Sequence, residues 1–156
     1  RRGADFAKPL LGHGKHAQLI HRAKAVFMAA QGTKTGIRIA IEPLNRRESN
    51  IICSLEEGAL LMKEADRSSI RLLVDYYHFM MEKENLETLG ALTEDIIHVH
   101  FAEPAGRSFP TAEQEAYREF FTVLKEKGYD GRVSIEAYGK EPEKELEKAV
   151  FIRKYL

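Results

Sequence analysis

The sequence predicts an α/β fold in which short parallel strands alternate with helices. Two observations support this prediction. First, four short apolar runs rich in β-branched residues recur along the chain, at Ile37–Ile41, Ile70–Val74, Ile96–Val99 and Val133–Ile135. Such runs are typical of strands buried on both faces of a parallel sheet. Second, the stretches between them resemble helices, and regular alternation of this kind indicates right-handed βαβ units.

The predicted helices are justified by apolar spacing and capping signals. His16–Ala30 carries apolar residues at helical spacing. A capping box begins at Ser54, and a second begins at Thr111 and opens a helix that runs to about Lys127, where Gly128 stops it. The remaining two helices are Leu86–Leu92 and a last one that starts at Glu141-Pro142. Four strands cannot close an eight-stranded barrel, so the chain is either half of a barrel or a small open sheet.

Composition narrows the class of protein. The 156 residues are 44% hydrophobic and 31% charged, as in a globular domain that buries a core, and we treat residues 1–156 as a single domain. Lys+Arg and Asp+Glu both number 24, so no charge excess indicates a nucleic-acid partner. The lone Cys53 fits a reducing compartment. Because no apolar run is long enough to span a membrane and no signal peptide is evident, we expect a cytoplasmic protein without membrane contact.

Each apolar run ends in a residue that can bind a metal ion. These residues are Glu42, Asp75, His100 and Glu136. In a parallel barrel the carboxyl ends of the strands converge on one mouth, where active sites are built. Three carboxylates and one imidazole suit Mn²⁺, Mg²⁺ or Co²⁺ better than a thiolate-rich zinc site would. His98 points to the same side of its strand as His100, one layer deeper, where it can hydrogen-bond to a ligand.

A structural interpretation competes with this one at every position. A single acid after a strand is ordinarily a helix cap or a solvated loop residue, and a lone histidine at a strand end is ordinarily part of the core. Four such residues, each closing a different strand, favour a site. The loops that follow add Glu48, His78 and Arg107 near the same mouth. Their structural interpretations are surface ion pairing for Glu48 and Arg107, and loop packing for His78.

The sequence from about Gly36 onward resembles the xylose-isomerase-like TIM-barrel superfamily. The motifs that carry the resemblance are Ile41-Glu42-Pro43-Leu44-Asn45-Arg46 with Glu48, Val74-Asp75-Tyr76-Tyr77-His78, His98-Val99-His100 through Arg107, and the segment 128–136. Within the superfamily it is most similar to the sugar phosphate isomerase/epimerase group, which includes the ketose 3-epimerases of the tagatose/psicose type. This resemblance implies the C-terminal half of a (β/α)₈ TIM barrel.

The resemblance also implies roles for the residues singled out above. Glu42, Asp75, His100 and Glu136 would bind one divalent metal, for which Mn²⁺ is favoured and Mg²⁺ or Co²⁺ are alternatives. Glu42 and Glu136 would be the acid/base pair. Glu48, His78 and Arg107 would contact the substrate, with Arg107 matched after a shift of one residue in its loop. The expected reaction is epimerisation or isomerisation of a ketose or ketose phosphate through an enediolate.

Three alternatives stay open at this point. A metal-dependent dehydratase of the same superfamily could use a similar site and expel water. A catalytically incomplete barrel half could serve as an assembly module, since its sheet edges and interior would be exposed. The superfamily's apurinic endonucleases are disfavoured because they need a basic surface facing DNA. The expected partners are a small-molecule sugar and either further copies of the chain or the missing N-terminal half of the barrel.

Overall fold

The computed structural model describes residues 37–156 as a four-stranded parallel sheet with helices between successive strands. The sheet order is β1-β2-β3-β4, with all neighbours parallel. The strands are β1 (Ile39–Ile41), β2 (Ile70–Asp75), β3 (Ile96–Phe101) and β4 (Arg132–Ile135). All four predicted strands are therefore confirmed. Within the described residues the sheet does not close, as expected for part of a barrel.

Five α-helices lie among the described residues. They are α1 (Leu55–Ala65), α2 (Tyr76–Glu82), α3 (Leu86–Leu92), α4 (Glu115–Glu126) and α5 (Pro142–Ala149), and short 3₁₀ turns follow α3 and α5 at Thr93–Asp95 and Val150–Lys154. Three of the predicted helices are confirmed outright, at Ser54, Leu86–Leu92 and Pro142. The predicted helix His16–Ala30 lies outside the described residues. None of the helices in residues 37–156 has the length and apolar character needed to cross a membrane.

The start predicted for α4 at Thr111 is wrong. The helix begins at Glu115, and Gln114 occupies the N-cap position without a side-chain capping bond. Tertiary contacts override the local signal, because the Gln114 amide donates to Glu103 at 3.1 Å and Glu113 pairs with Lys154. The predicted end is confirmed: Gly128, with a φ of +83°, adopts the left-handed conformation that follows a helix.

Helix α2 was not predicted. The segment Asp75-Tyr76-Tyr77-His78 is predicted above as a loop after the second strand, but the chain turns directly into a helix there. Asp75 is at once the last residue of β2 and the N-cap of α2, and its Oδ1 accepts a hydrogen bond from the Tyr77 amide at 2.9 Å. His78 consequently lies on a helix and is 2% exposed, instead of packing in a loop.

The core lies between one face of the sheet and the helices. Buried side chains of β2 and β3, such as Leu72 and Val99, pack against an aromatic cluster formed by Tyr76, Phe79, Phe101, Tyr117, Phe120 and Phe121. Because side chains alternate across a strand, the opposite face receives Leu73, Asp75, His98 and His100. One face of the sheet thus provides stability, and the other presents polar groups at its carboxyl end.

Candidate metal centre

The carboxyl ends of the four strands bring the four expected ligands together. Glu42 follows β1 directly, Asp75 ends β2, His100 is the penultimate residue of β3, and Glu136 follows β4. Asp75 and His100 are register partners on neighbouring strands. One potential ligand atom from each of the four residues lies within 4.8 Å of all the others. Residues separated by up to 94 positions in sequence therefore converge because parallel strands end at the same edge.

The geometry around His100 places the two glutamates close to one ring nitrogen. His100 Nδ1 is 3.3 Å from Glu42 Oε1 and 2.7 Å from Glu136 Oε2. Exposure decreases from the rim inward: the side chain of Glu136 is 48% exposed, that of Glu42 27%, and that of Asp75 0%. The cluster is therefore accessible to solvent at Glu136 and buried at Asp75.

Burial raises the pKa of the two inner acids, Glu42 and Asp75. The pKa of Glu42 is raised, chiefly because burial disfavours its charged form, and the nearby Glu136 charge adds to the effect while His100 opposes it. The pKa of Asp75 is also raised by burial, against the hydrogen bond from the Tyr77 amide and the charge of Arg107. Both acids would be stabilised in their ionised form by an additional cation.

Arg107 is the cation that contacts these acids in the structure. Its Nη2 lies 3.1 Å from Asp75 Oδ2 and 2.8 Å from Glu136 Oε2, and its Nη1 lies 3.5 Å from Glu48 Oε2. The backbone of Arg107 is in the left-handed region, with a φ of +50°. The guanidinium lies 5.1 Å from the centroid of the Tyr77 ring, within cation–π distance. Arg107, which the resemblance assigns to substrate binding, thus contacts two of the four candidate metal ligands.

The residues fit a divalent ion by their chemistry. Three carboxylates, those of Glu48, Asp75 and Glu136, contact the single guanidinium of Arg107, while Glu42 contacts His100. Buried carboxylates need compensating positive charge. The potential ligand set is rich in oxygen with one imidazole, which suits Mn²⁺, Mg²⁺ or Co²⁺. No thiolate is among the grouped residues, and Cys53 is buried elsewhere in the described part of the chain.

The three expected substrate residues also lie at this mouth. His78 is buried, with its Nε2 3.8 Å from Asp75 Oδ2, and Glu48 is joined to Arg107. The pKa of Glu48 is lowered, first by a hydrogen bond from Asn45. The pKa of His78 is lowered because burial disfavours the charged ring.

His98 occupies the deeper layer, as expected, but its hydrogen bond goes elsewhere. Its ring lies 5.1 Å from that of His100, centroid to centroid, at 90°. Its Nε2 is 3.0 Å from Ser134 Oγ, so the predicted hydrogen bond to a ligand is replaced by a bond across to β4.

Sequence reasoning missed two residues that connect the site. Asn45 is 1% exposed and bonds to both Glu48 and His78, although in sequence it resembles an ordinary turn residue. Tyr138 donates its backbone N–H to the Arg107 carbonyl at 2.7 Å and thereby joins the loops after β3 and β4. The contacts of Asn45 with His78 and of Tyr138 with Arg107 join distant parts of the chain, so local sequence does not record them.

A parallel sheet with covering helices and a cluster of candidate metal ligands at its carboxyl end is the arrangement expected of part of a β/α barrel. Comparison with known families agrees. The model of the xylose isomerase-like TIM barrel family matches residues 16–155, and the chain belongs to this family.

The relatives are sugar epimerases. The chain is 30% identical over 114 residues to a probable ketose 3-epimerase of Synechocystis sp., an alignment covering 72% of this chain and 39% of the relative. It is 24% identical over 140 residues to a D-psicose 3-epimerase of Agrobacterium fabrum, covering 87% of this chain and 46% of the relative.

Among solved structures, 3-keto-D-glucoside 4-epimerase YcjR from E. coli superposes with a TM-score of 0.79 at 22% identity, over 98% of this chain and 59% of that one. At this identity the superposition establishes the fold alone. The chain therefore spans somewhat under half of the two curated relatives and carries the fold of part of a barrel.

Proposed function

We propose that the protein is a metal-dependent sugar epimerase that moves a proton on the carbon beside a ketose carbonyl. The observation that carries the proposal is the convergence of Glu42, Asp75, His100 and Glu136 within 4.8 Å at the carboxyl end of the sheet. The names of the relatives, a ketose 3-epimerase and a D-psicose 3-epimerase, support a ketose as substrate class. They favour epimerisation over the dehydratase alternative, which we do not propose.

The four clustered residues would hold one divalent ion, for which we favour Mn²⁺ over Mg²⁺ and Co²⁺. When bound, the ion supplies a Lewis acid that stabilises negative charge developing on the substrate's oxygens. The protein's part is to fix the ligand geometry. Asp75 adds to that rigidity because its Oδ1 accepts a hydrogen bond from the Tyr77 amide at the start of α2.

Glu42 and Glu136 would transfer the proton. Both carboxylates lie within 3.3 Å of the same nitrogen of His100 and follow strands at opposite edges of the four-stranded sheet, which supports assigning them to the two faces of the substrate carbon. One carboxylate removes the proton to give an enediolate, and the other, initially protonated, returns a proton to the opposite face of the same carbon. The first group ends protonated and the second ionised, and exchange with solvent restores the starting state.

Glu48, His78 and Arg107 would orient the substrate's hydroxyl groups. Arg107 offers donors at the edge of the cluster, and Glu48, 39% exposed, offers an acceptor beside it. His78 Nε2 is buried and has no hydrogen-bond partner among the described residues, so it is available to a substrate oxygen. A buried polar atom without a partner costs stability unless a ligand satisfies it.

The remainder of the barrel would come from further polypeptide or from another copy of the chain. Strands β1 and β4 are the edges of the sheet as described, and a barrel needs both to be paired. The measurement that separates the two sources is the oligomeric state of the protein expressed from its complete gene. A cytoplasmic location is the expectation for such a metabolic enzyme.

Solvent deuterium exchange tests the proposed reaction. The protein expressed from its complete gene, loaded with Mn²⁺, should incorporate deuterium from D₂O into ketoses beside the carbonyl and form the epimer. Removal of metal with a chelator should abolish the exchange, as should Glu42→Gln or Glu136→Gln, whereas the exposed Glu126→Gln on α4 should not. Absence of exchange across a broad ketose panel would refute the proposal, and a product lighter by one water would indicate a dehydratase.

A further inference from the structure

The Asn45 side chain makes three of its four possible hydrogen bonds inside the protein, and both of its donors are used. Its Oδ1 accepts from the Arg47 amide at 3.0 Å. Its Nδ2 lies 2.9 Å from Glu48 Oε1 and 2.8 Å from His78 Nδ1. The Asn45 backbone N–H points at the same His78 nitrogen from 3.0 Å. A surface turn asparagine would need none of the contacts to Glu48 and His78.

The orientation of the Asn45 amide follows from these partners. The Arg47 backbone N–H can only donate, so the atom facing it must be the amide oxygen. The amide nitrogen therefore faces Glu48 and His78. The reverse orientation would set a donor against a donor at Arg47 and an oxygen against the Glu48 carboxylate.

This orientation determines the tautomer of His78. Two donors, the backbone N–H and the side-chain Nδ2 of Asn45, point at Nδ1, so Nδ1 must be the unprotonated nitrogen. The ring proton then resides on Nε2, the buried atom without a partner among the described residues that lies 3.8 Å from Asp75 Oδ2. His78 thus presents an N–H donor at the cluster.

We propose that Asn45 is a positioning residue that fixes the His78 tautomer and the Glu48 carboxylate, so that a donor and an acceptor face the substrate in a set arrangement. The inference rests on the proposed function for its catalytic consequence, but not for its structural content. Asn45 itself lies behind these groups and is 1% exposed, so it acts through them.

The decisive variant is Asn45→Asp, which keeps the shape of the side chain and replaces a donor by an acceptor. The new carboxylate would repel Glu48 and would accept a hydrogen bond from a proton on His78 Nδ1. This charge-assisted bond should outweigh the neutral bond that the backbone N–H of residue 45 still donates to Nδ1. Nitrogen chemical shifts of the histidine ring, from long-range ¹H–¹⁵N spectra of the metal-free protein, report which nitrogen is protonated, and the His78→Gln spectrum assigns the signal. We expect the proton on Nε2 in the wild type and on Nδ1 in Asn45→Asp.

Two further variants make the comparison specific. Asn45→Ala should keep the wild-type tautomer, because the backbone N–H remains, but should raise KM since Glu48 is released. Asn85→Asp is the matched charge control: Asn85 caps α3 by accepting from the Thr88 amide at 2.7 Å, which a carboxylate does equally well. It should change neither the spectrum nor the activity.

Activity with the ketose substrate provides the second measurement. Asn45→Asp should lower kcat/KM by at least about tenfold, because it removes a donor from Glu48 and His78 and places a carboxylate beside Glu48. A tenfold loss corresponds to about 1.4 kcal/mol. An unchanged tautomer in Asn45→Asp, or an equal loss in Asn85→Asp, would overturn the inference. Should Asn45→Asp fail to fold, an unchanged KM in Asn45→Ala would overturn it instead. If the wild type turned over no ketose, the proposed function would fail while the spectra still decided the tautomer.

Discussion

Replacement of Arg107 by glutamine should tighten divalent-metal binding while lowering activity. The guanidinium lies 3.1 Å from Asp75 Oδ2 and 2.8 Å from Glu136 Oε2, and an ion bound by these carboxylates competes with both contacts. A hydrogen bond to a charged group contributes about 1.5–3 kcal/mol. Solvent reduces this contribution because the Glu136 side chain is 48% exposed. We therefore expect a gain of about 1.5 kcal/mol, or roughly a tenfold lower Kd.

Calorimetric titration of the metal-free protein with Mn²⁺ measures this change directly. Arg46→Gln is the matched control, because it removes the same charge from a side chain that is 61% exposed and paired with Glu57 and Glu82. Its Kd should stay within about twofold of the wild-type value, since exposed charges are screened. A Kd for Mn²⁺ in Arg107→Gln that equals or exceeds the wild-type value would refute the reasoning. If Arg46→Gln gained as much affinity as Arg107→Gln, the gain would be an effect of net charge and not of the Arg107 contacts.

Three further predictions concern stability, each measured by denaturant unfolding. Ser54→Ala should lower the free energy of unfolding by about 1 kcal/mol, because Ser54 Oγ accepts from the Glu57 amide at the start of α1; an equal loss in Ser54→Asp would contradict this. Phe120→Ala should cost about 3–5 kcal/mol because the ring is 1% exposed within the aromatic cluster, and a loss under about 1 kcal/mol would contradict that packing. Burial raises the pKa of Glu84 from 4.5 to about 7, so the folded state binds this proton more tightly, and stability falls as pH rises between those values. Glu84→Gln, which can still accept from the Leu55 amide, should flatten that fall, and an unchanged slope would exclude Glu84 as its cause.

The architecture and the convergence of the four candidate ligands could be predicted because each depends on local sequence. A strand buried on both faces is recognised in the sequence as a short apolar run rich in β-branched residues. A charged residue directly after such a run is easily identified. Glu42 and Glu136 can be identified in this way from the sequence. Because active sites form at the carboxyl ends of parallel strands, the two residues can also be predicted to lie close together.

The rest depended on contacts that local sequence does not record. Helix α2 has only seven residues and begins inside the Asp75 motif, so it has no room for a periodic pattern. The start of α4 was misplaced because Glu103 and Lys154 hold the preceding side chains. The role of Asn45 depends on a partner 33 positions away. In the last two cases a tertiary contact decided a feature on which the local signal was silent or misleading.

All four expected ligands lie within the single stretch 42–136, on strands that are consecutive in the chain and adjacent in the sheet. A genetic exchange that transfers this stretch would therefore transfer the whole ligand set at once. The polypeptide that completes the barrel can then be replaced without breaking the set. The four candidate ligands and the residues that complete the barrel can accordingly diverge at different rates during the history of the fold.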